Sequence, residues 1–112
     1  MDELQKLIVK FRDARDWKQF HTPKDLSLSL VLEAAEVMEH FQWKSEAEIA
    51  KYIKTNKADI GEELADVLAY VFLLAHELDI DLPKAYKAKL KKNAAKYPVS
   101  KSRGRHTKYN KL

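Results

Sequence analysis

Two pairs of acidic residues, each three positions apart in an otherwise apolar helical pattern, are the residues best suited to chemistry in this chain. One pair is Glu33 and Glu36, and the other is Glu63 and Asp66. Residues at i and i+3 share a helix face, so each pair presents two carboxylates side by side. Two such helices facing each other would form a site of four carboxylates. An all-oxygen site favours a hard cation, Mg²⁺ first and Mn²⁺ second.

The apolar residues around these acids indicate that the carboxylates face the interior of the protein. Projected at about 100° per residue, the first segment forms two apolar strips with a polar line between them that holds Glu33 and Glu36. The strips contain Leu26, Leu30, Val37 and Phe41 on one side and Leu28, Leu32 and Ala35 on the other. In the second segment, Glu63 and Asp66 border an apolar stripe, whereas Glu62 projects further from it. We therefore expect Glu63, rather than Glu62, to point inwards.

Other sites built from similar residues are excluded by spacing or composition. A di-iron bundle needs Glu-x-x-His pairs, but His40 follows Glu36 by four positions and His76 has no acid three positions before it. With only two glycines, the chain cannot form a glycine-rich phosphate loop, and without cysteine it has neither a thiolate ligand nor a thiol nucleophile. Any phosphate must therefore be bound by metal and basic side chains.

Length and composition are typical of one small intracellular domain. The 112 residues lie within the usual size of a single domain. The sequence shows no signal peptide and no apolar run of about 18 residues, so we expect a cytoplasmic protein without a membrane partner. We place an all-α domain at residues 1–98 and a basic tail at residues 99–112.

The charge is divided sharply along the chain. All 17 acidic residues precede Leu82, whereas the segment from Leu82 to Leu112 contains 11 lysines and arginines and no acid. Such asymmetry is typical of a nucleic-acid tail or a polyanion site, and also of a solvated basic helix. A helical nucleic-acid-binding protein that uses this tail is therefore an alternative to an enzyme, although we consider a nucleic-acid partner the weaker hypothesis.

Hydrophobic periodicity predicts helices throughout residues 2–98. The first two helices are expected over 2–16 and 23–42. A short helix should begin at the capping-box pattern of Ser45 and Glu48 and end at Thr55 and Asn56. Two more are expected, one over 57–78 and one from about Pro83 to just before Pro98. The stripe of the 57–78 helix contains Ile60, Leu64, Val67, Val71, Leu74 and Leu78. Because this helix is also apolar on its other side, we expect it at a bundle centre or a subunit interface. The tail is expected to be extended and partly disordered.

Glu33-x-x-Glu36, followed by Glu62-Glu63-x-x-Asp66, resembles the signature of the MazG-like all-α nucleoside triphosphate pyrophosphatases. Five segments resemble the dCTP pyrophosphatase branch of that family. They are 15–21, with the sequence RDWKQFH, 33–43, ending in FQW, 62–70, 81–83 and 93–98. The resemblance covers most of the chain from about Phe11 to Pro98.

The resemblance implies a four-helix-bundle-type fold, assembled as a dimer or a tetramer, that hydrolyses a nucleoside triphosphate between its α- and β-phosphates with Mg²⁺. It implies a dCTP-like substrate and a house-cleaning role. The same chemistry on dUTP, on phosphoribosyl-ATP or on a broad set of nucleoside triphosphates remains an alternative.

The resemblance also implies roles for individual residues. The metal ligands would be Glu33, Glu36, Glu63 and Asp66. The residues at the nucleotide would be Trp17, His21, Trp43 and Tyr70, with Lys89 and Asn93 contacting phosphate or sugar. A carboxylate not fully engaged by metal could accept a proton, and we prefer Glu36 for that catalytic role.

Overall fold

The computed structural model describes residues 3–112, and all regular secondary structure in that range is helical, which confirms the all-α prediction. The α-helices are α1 (Glu3–Ala14), α2 (Pro23–Glu39), α3 (Glu46–Glu77), α4 (Leu82–Lys96) and α5 (Val99–Ser102), and short 3-10 helices span Lys18–Phe20 and Tyr109–Lys111. Position 2, included in the first predicted helix, lies outside the described residues. Within residues 3–112, no helix combines the length and the hydropathy needed to cross a membrane.

The chain forms two compact units, one ending at Asp79 and the other spanning Ile80–Leu112. In the first unit, α1 and α2 both pack against α3. Gln5 on α1 donates a hydrogen bond from Nε2 to the carbonyl oxygen of Phe72 on α3, at 3.0 Å. The predicted division into residues 1–98 and 99–112 stays a prediction.

Residues next to each helix start determine where the helices begin. The Asp25 backbone N–H donates to Thr22 Oγ1 at 3.1 Å, with Pro23 in the first helical position. Ser45 and Glu48 form the reciprocal bonds of a capping box, at 3.1 and 3.2 Å. These side chains satisfy N–H groups that have no partner inside the helix, and they confirm the two predicted starts.

The predicted break near Asn56 is present as a kink, which separates two helical segments within the span of α3. Asn56 has non-helical backbone angles, φ −121° and ψ 17°, inside α3. Its side-chain Nδ2 donates to the carbonyl oxygen of Tyr52 at 3.0 Å. The side chain therefore satisfies a carbonyl at the end of the preceding segment, and the predicted interruption at this position is confirmed.

The first unit buries little of its apolar surface. Among the residues that the structure describes, the buried apolar side chains are Leu26, Leu73 and Ala75. Leu26 agrees with the predicted α2 strip, but Leu64 and Leu78 of the predicted α3 stripe are 53% and 47% exposed. These two positions are therefore not covered within one chain, because periodicity identifies an apolar face and does not identify what covers it.

The second unit consists of α4 and a folded C-terminal segment. The Lys84 backbone N–H donates to Asp81 Oδ1 at 3.1 Å, which confirms the predicted start of α4. The Tyr97 and Tyr109 rings meet edge to face, with centroids 6.1 Å apart. Because residues 99–102 and 109–111 are helical, the prediction of an extended segment was wrong for them.

Candidate active site

Three of the predicted acids form a cluster between α2 and α3. One carboxylate oxygen from each of Glu33, Glu36 and Glu63 lies within 4.8 Å of the other two. Glu33 and Glu36 are one turn apart on α2, and α3 packs alongside and supplies Glu63. Asp66 is one turn further along α3 and acts electrostatically on both Glu33 and Glu63. Glu62 is exposed and outside the cluster.

The cluster concentrates negative charge in a partly desolvated place. Burial raises the pKa of Glu33 above its ordinary value, and a hydrogen bond and repulsion from Glu36 raise it further. The pKa of Glu63 is raised first by its hydrogen bond with Glu36 and then by burial. Both effects disfavour the charged form. The cluster therefore gains from taking up positive charge, as a proton or as a cation.

The carboxylate oxygens of the cluster, two of which have no hydrogen-bond partner among the described residues, fit a divalent metal ion. Glu33 Oε2 and Glu63 Oε2 are buried and have no hydrogen-bond partner among the described residues. Buried carboxylate oxygens without partners are costly. A hard cation would satisfy both oxygens, and oxygen ligands alone suit Mg²⁺ or Mn²⁺.

A groove of about 450 Å³ lies beside the cluster, lined by Glu36, Glu39, His40, Tyr52 and Glu63. His40 Nδ1 is 2.6 Å from the Tyr52 hydroxyl oxygen. We did not predict this pair as part of a site from the sequence. The only signal for it was the position of His40, one turn after Glu36 on the same helix face.

Trp17 and His21 lie far from the acidic cluster of their own chain. The Trp17 ring is edge-on to Phe11, with centroids 5.8 Å apart. His21 is close enough to Glu77 to feel its charge. Glu77 follows Glu63 by 14 helical residues, or about 21 Å at 1.5 Å per residue. The structure therefore does not bring Trp17 or His21 to the acids within one chain.

The other predicted substrate residues occupy three different places. Trp43 lies in the turn after α2, 91% exposed, with a left-handed φ of +68°. Tyr70 is partly buried on α3, one turn beyond Asp66. Lys89 and Asn93 are on α4, in the second compact unit. An exposed tryptophan in a conformation that costs energy for a side-chain-bearing residue is a candidate for ligand contact.

Comparison with known proteins agrees with this arrangement of acids on two packed helices. The model of the MazG-like family matches residues 28–112, the segment that contains all four acids. The chain belongs to the MazG-like family. As a MazG-like protein it resembles dCTP pyrophosphatase 1 of Rattus norvegicus, with 42% identity, and of Homo sapiens, with 38% identity. Both alignments cover 100% of this chain and 67% of the relative.

A solved structure supports the same assignment. The crystal structure of a pyrophosphatase from Archaeoglobus fulgidus superimposes with a TM-score of 0.80 at 41% identity, over 86% of this chain and 90% of that chain. Together with the curated relatives, it identifies this MazG-like chain as a hydrolase of the nucleotide pyrophosphatase class.

Proposed function

We propose that the protein hydrolyses a nucleoside triphosphate to the monophosphate and pyrophosphate in a Mg²⁺-dependent reaction. The observation that carries this proposal is the acidic cluster, in which two buried carboxylate oxygens have no partner among the described residues. Such a cluster repels a bare triphosphate and accepts one that arrives with cations. A bound Mg²⁺ would supply positive charge to the phosphates and to the developing leaving group.

We assign the metal ligands to Glu33, Glu36, Glu63 and Asp66. The first three already have oxygens within 4.8 Å of one another, and Asp66 lies one helical turn from Glu63. Glu36 is close enough to both neighbouring glutamates to raise their pKa values, and it is the most exposed of the three. It is therefore placed to accept the proton of an attacking water, and we assign it that role.

We propose that the nucleobase of the substrate stacks on the exposed Trp43 ring, which offers a flat surface. Tyr70, Lys89 and Asn93 are proposed as further contacts to sugar and phosphate. A dCTP-like substrate is supported by the names of the relatives, with dUTP or a broad set of nucleoside triphosphates as the alternative. We place the enzyme in the cytoplasm, where such a substrate pool occurs.

We also propose that the working form is an oligomer, a dimer or a tetramer. Leu28, Val31 and Leu32 form an uncovered face of α2, with 52%, 66% and 65% of their surface exposed. A second copy that covers this face would complete a four-helix bundle from two copies of α2 and α3. The same second copy would allow Trp17 and His21 of one chain to approach the acids of the other.

A pair of adjacent substitutions tests the proposed function. Glu63→Gln removes a charge from the cluster, whereas Glu62→Gln removes the same charge from the exposed neighbouring position. With dCTP and Mg²⁺, we expect Glu63→Gln to lower kcat/KM at least about 100-fold, corresponding to a loss of about 2.7 kcal/mol or more of transition-state stabilisation. Glu62→Gln should stay within about threefold of the wild type.

Product identity decides the reaction class. We expect monophosphate and pyrophosphate in equal amounts, and no activity after the metal is chelated. Release of orthophosphate from dCTP, or equal loss of activity in the two glutamine variants, would overturn the proposal. Profiling the nucleoside triphosphates with the wild-type enzyme then distinguishes a dCTP-like substrate from dUTP or a broad set.

A further inference from the structure

The groove beside the acidic cluster contains a hydrogen-bonded pair that has no role in the reaction as proposed so far. His40 ends α2 and Tyr52 lies in the first half of α3, with His40 Nδ1 and the Tyr52 hydroxyl oxygen 2.6 Å apart. Their ring centroids are 5.7 Å apart. Both residues are partly buried, and each belongs to a different helix. The imidazole is therefore anchored at Nδ1, and Nε2 is the nitrogen left to meet a ligand.

The surroundings determine which atom donates in this pair. The other residues lining the groove are glutamates, so a lone pair on Nε2 would face negative charge, whereas an N–H there would be attracted to it. Lys44 Nζ lies 4.3 Å from the centre of the Tyr52 ring. A cation over the ring favours the hydroxyl as the donor. These charges favour the tautomer in which Tyr52 O–H donates to Nδ1 and His40 carries its N–H at Nε2.

We propose that His40 Nε2–H binds the outer phosphates of the triphosphate, and the pyrophosphate released from them, with Tyr52 as its positioning residue. This inference rests on the proposed function. A cation held by the cluster would not engage every outer phosphate oxygen, and carboxylates cannot donate hydrogen bonds to the others. Among the side chains lining the groove, the His40 imidazole and the Tyr52 hydroxyl carry polar hydrogens, whereas carboxylates only accept.

The chemistry of the pair favours phosphate over the sugar as its ligand. A hydrogen bond to an anionic oxygen is about twice as strong as one to a neutral hydroxyl. The ammonium of Lys44 beside Tyr52 adds positive potential, which attracts an anionic phosphate more strongly than a neutral sugar hydroxyl. The site is thus predicted to distinguish pyrophosphate from the nucleoside monophosphate, which lacks the outer phosphates.

Direct binding of pyrophosphate tests the inference independently of turnover. Calorimetry with Mg²⁺ present measures pyrophosphate and dCMP binding to the wild type and to His40→Leu, His40→Gln and Tyr52→Phe. We expect His40→Leu to weaken pyrophosphate binding about tenfold, the effect of losing a hydrogen bond to a charged group. Gln has an amide N–H that can reach the Nε2 position, so it should restore part of the affinity. dCMP binding should change by less than about twofold in every variant.

A double substitution tests the positioning role of Tyr52. Tyr52→Phe keeps the ring under Lys44 and should weaken pyrophosphate binding about threefold in the wild-type background. In the His40→Leu background it should cause no further weakening, because the Tyr52 hydroxyl acts through the imidazole. Lys51→Gln, an exposed position on the same turn, is the matched control and should bind like the wild type. Melting temperatures identify any variant whose loss of binding comes from unfolding, and Tyr52→Phe remains informative if His40→Leu unfolds.

The outcomes separate this inference from the proposed function. An enzyme that makes pyrophosphate from dCTP, but whose His40 variants bind pyrophosphate as tightly as the wild type, refutes the inference alone. Equal weakening of dCMP and pyrophosphate binding also refutes the inference. Such a result would mean that His40 contacts a feature that the two ligands share. A wild type that hydrolyses no nucleoside triphosphate refutes the proposed function, while the calorimetric comparison still decides whether His40 binds pyrophosphate.

Discussion

The ion pair between Arg12 on α1 and Glu77 on α3 allows a stability prediction that can be worked from the structure. The Arg12 side chain is 2% exposed and Glu77 is 18% exposed. Arg12 Nη1 donates to Glu77, while its Nε and Nη2 lie 3.0 and 2.9 Å from Asp13 Oδ1. Asp13 is 53% exposed. Glu77 is therefore the partner that compensates the buried end of the guanidinium.

Glu77→Ala would leave a buried positive charge with only a half-exposed partner. Breaking a buried ion pair typically costs 3–5 kcal/mol, and because Asp13 remains we expect about 3 kcal/mol. For a chain of 112 residues, a loss of this size lowers the melting temperature by about 12 °C. The measurement is thermal and urea unfolding at one fixed protein concentration, since an oligomer melts in a concentration-dependent way.

Two controls make the result interpretable. Glu3→Ala breaks the Lys6–Glu3 pair, whose side chains are 56% and 88% exposed, and should cost less than about 0.5 kcal/mol. The double variant Arg12→Met with Glu77→Leu removes both charges and should recover most of the stability. A loss below about 1 kcal/mol for Glu77→Ala, or a double variant as unstable as the single one, would refute the idea that this charge is desolvated.

Three further predictions concern pH, metal and assembly. Burial and then Arg12 lower the pKa of His21. The contribution of the neutral imidazole to the free energy of unfolding is therefore complete above about pH 6.5 and is lost as the pH falls below that value. Urea unfolding between pH 7.5 and 5.5 should show this loss in the wild type and not in His21→Gln. Saturating Mg²⁺ should raise the melting temperature of the wild type by about 5–10 °C and leave Glu36→Gln nearly unchanged. Leu32→Glu should shift the sedimentation coefficient toward that of a single chain, and unchanged sedimentation would contradict the α2 interface.

Features determined by neighbouring residues could be predicted from the sequence. Thr22, Ser45 and Asp81 bond to backbone groups three residues away, so the helix starts follow from local chemistry. The pairing of Glu33 with Glu36 is equally local, because both lie on one helix face. The preference for Glu63 over Glu62 needed only the helical projection, and the structure brings Glu63 to the other two glutamates.

Features that depend on packing could not be predicted. Arg12 meets Glu77 across 65 positions of sequence, and His40 meets Tyr52 across 12. No local pattern in the sequence predicts either contact, because each contact depends on how two helices are aligned.

Trp43 has a practical consequence that follows from its position alone. The chain has two tryptophans, and Trp43 is 91% exposed while Trp17 is 44% exposed. An indole ring in water fluoresces at long wavelength, and its emission moves to the blue when another ring or a neighbouring chain covers it. The protein therefore carries an intrinsic optical reporter at the turn after α2. In a Trp17→Phe background, emission from this one ring would follow occupancy of its surface in real time and without a label.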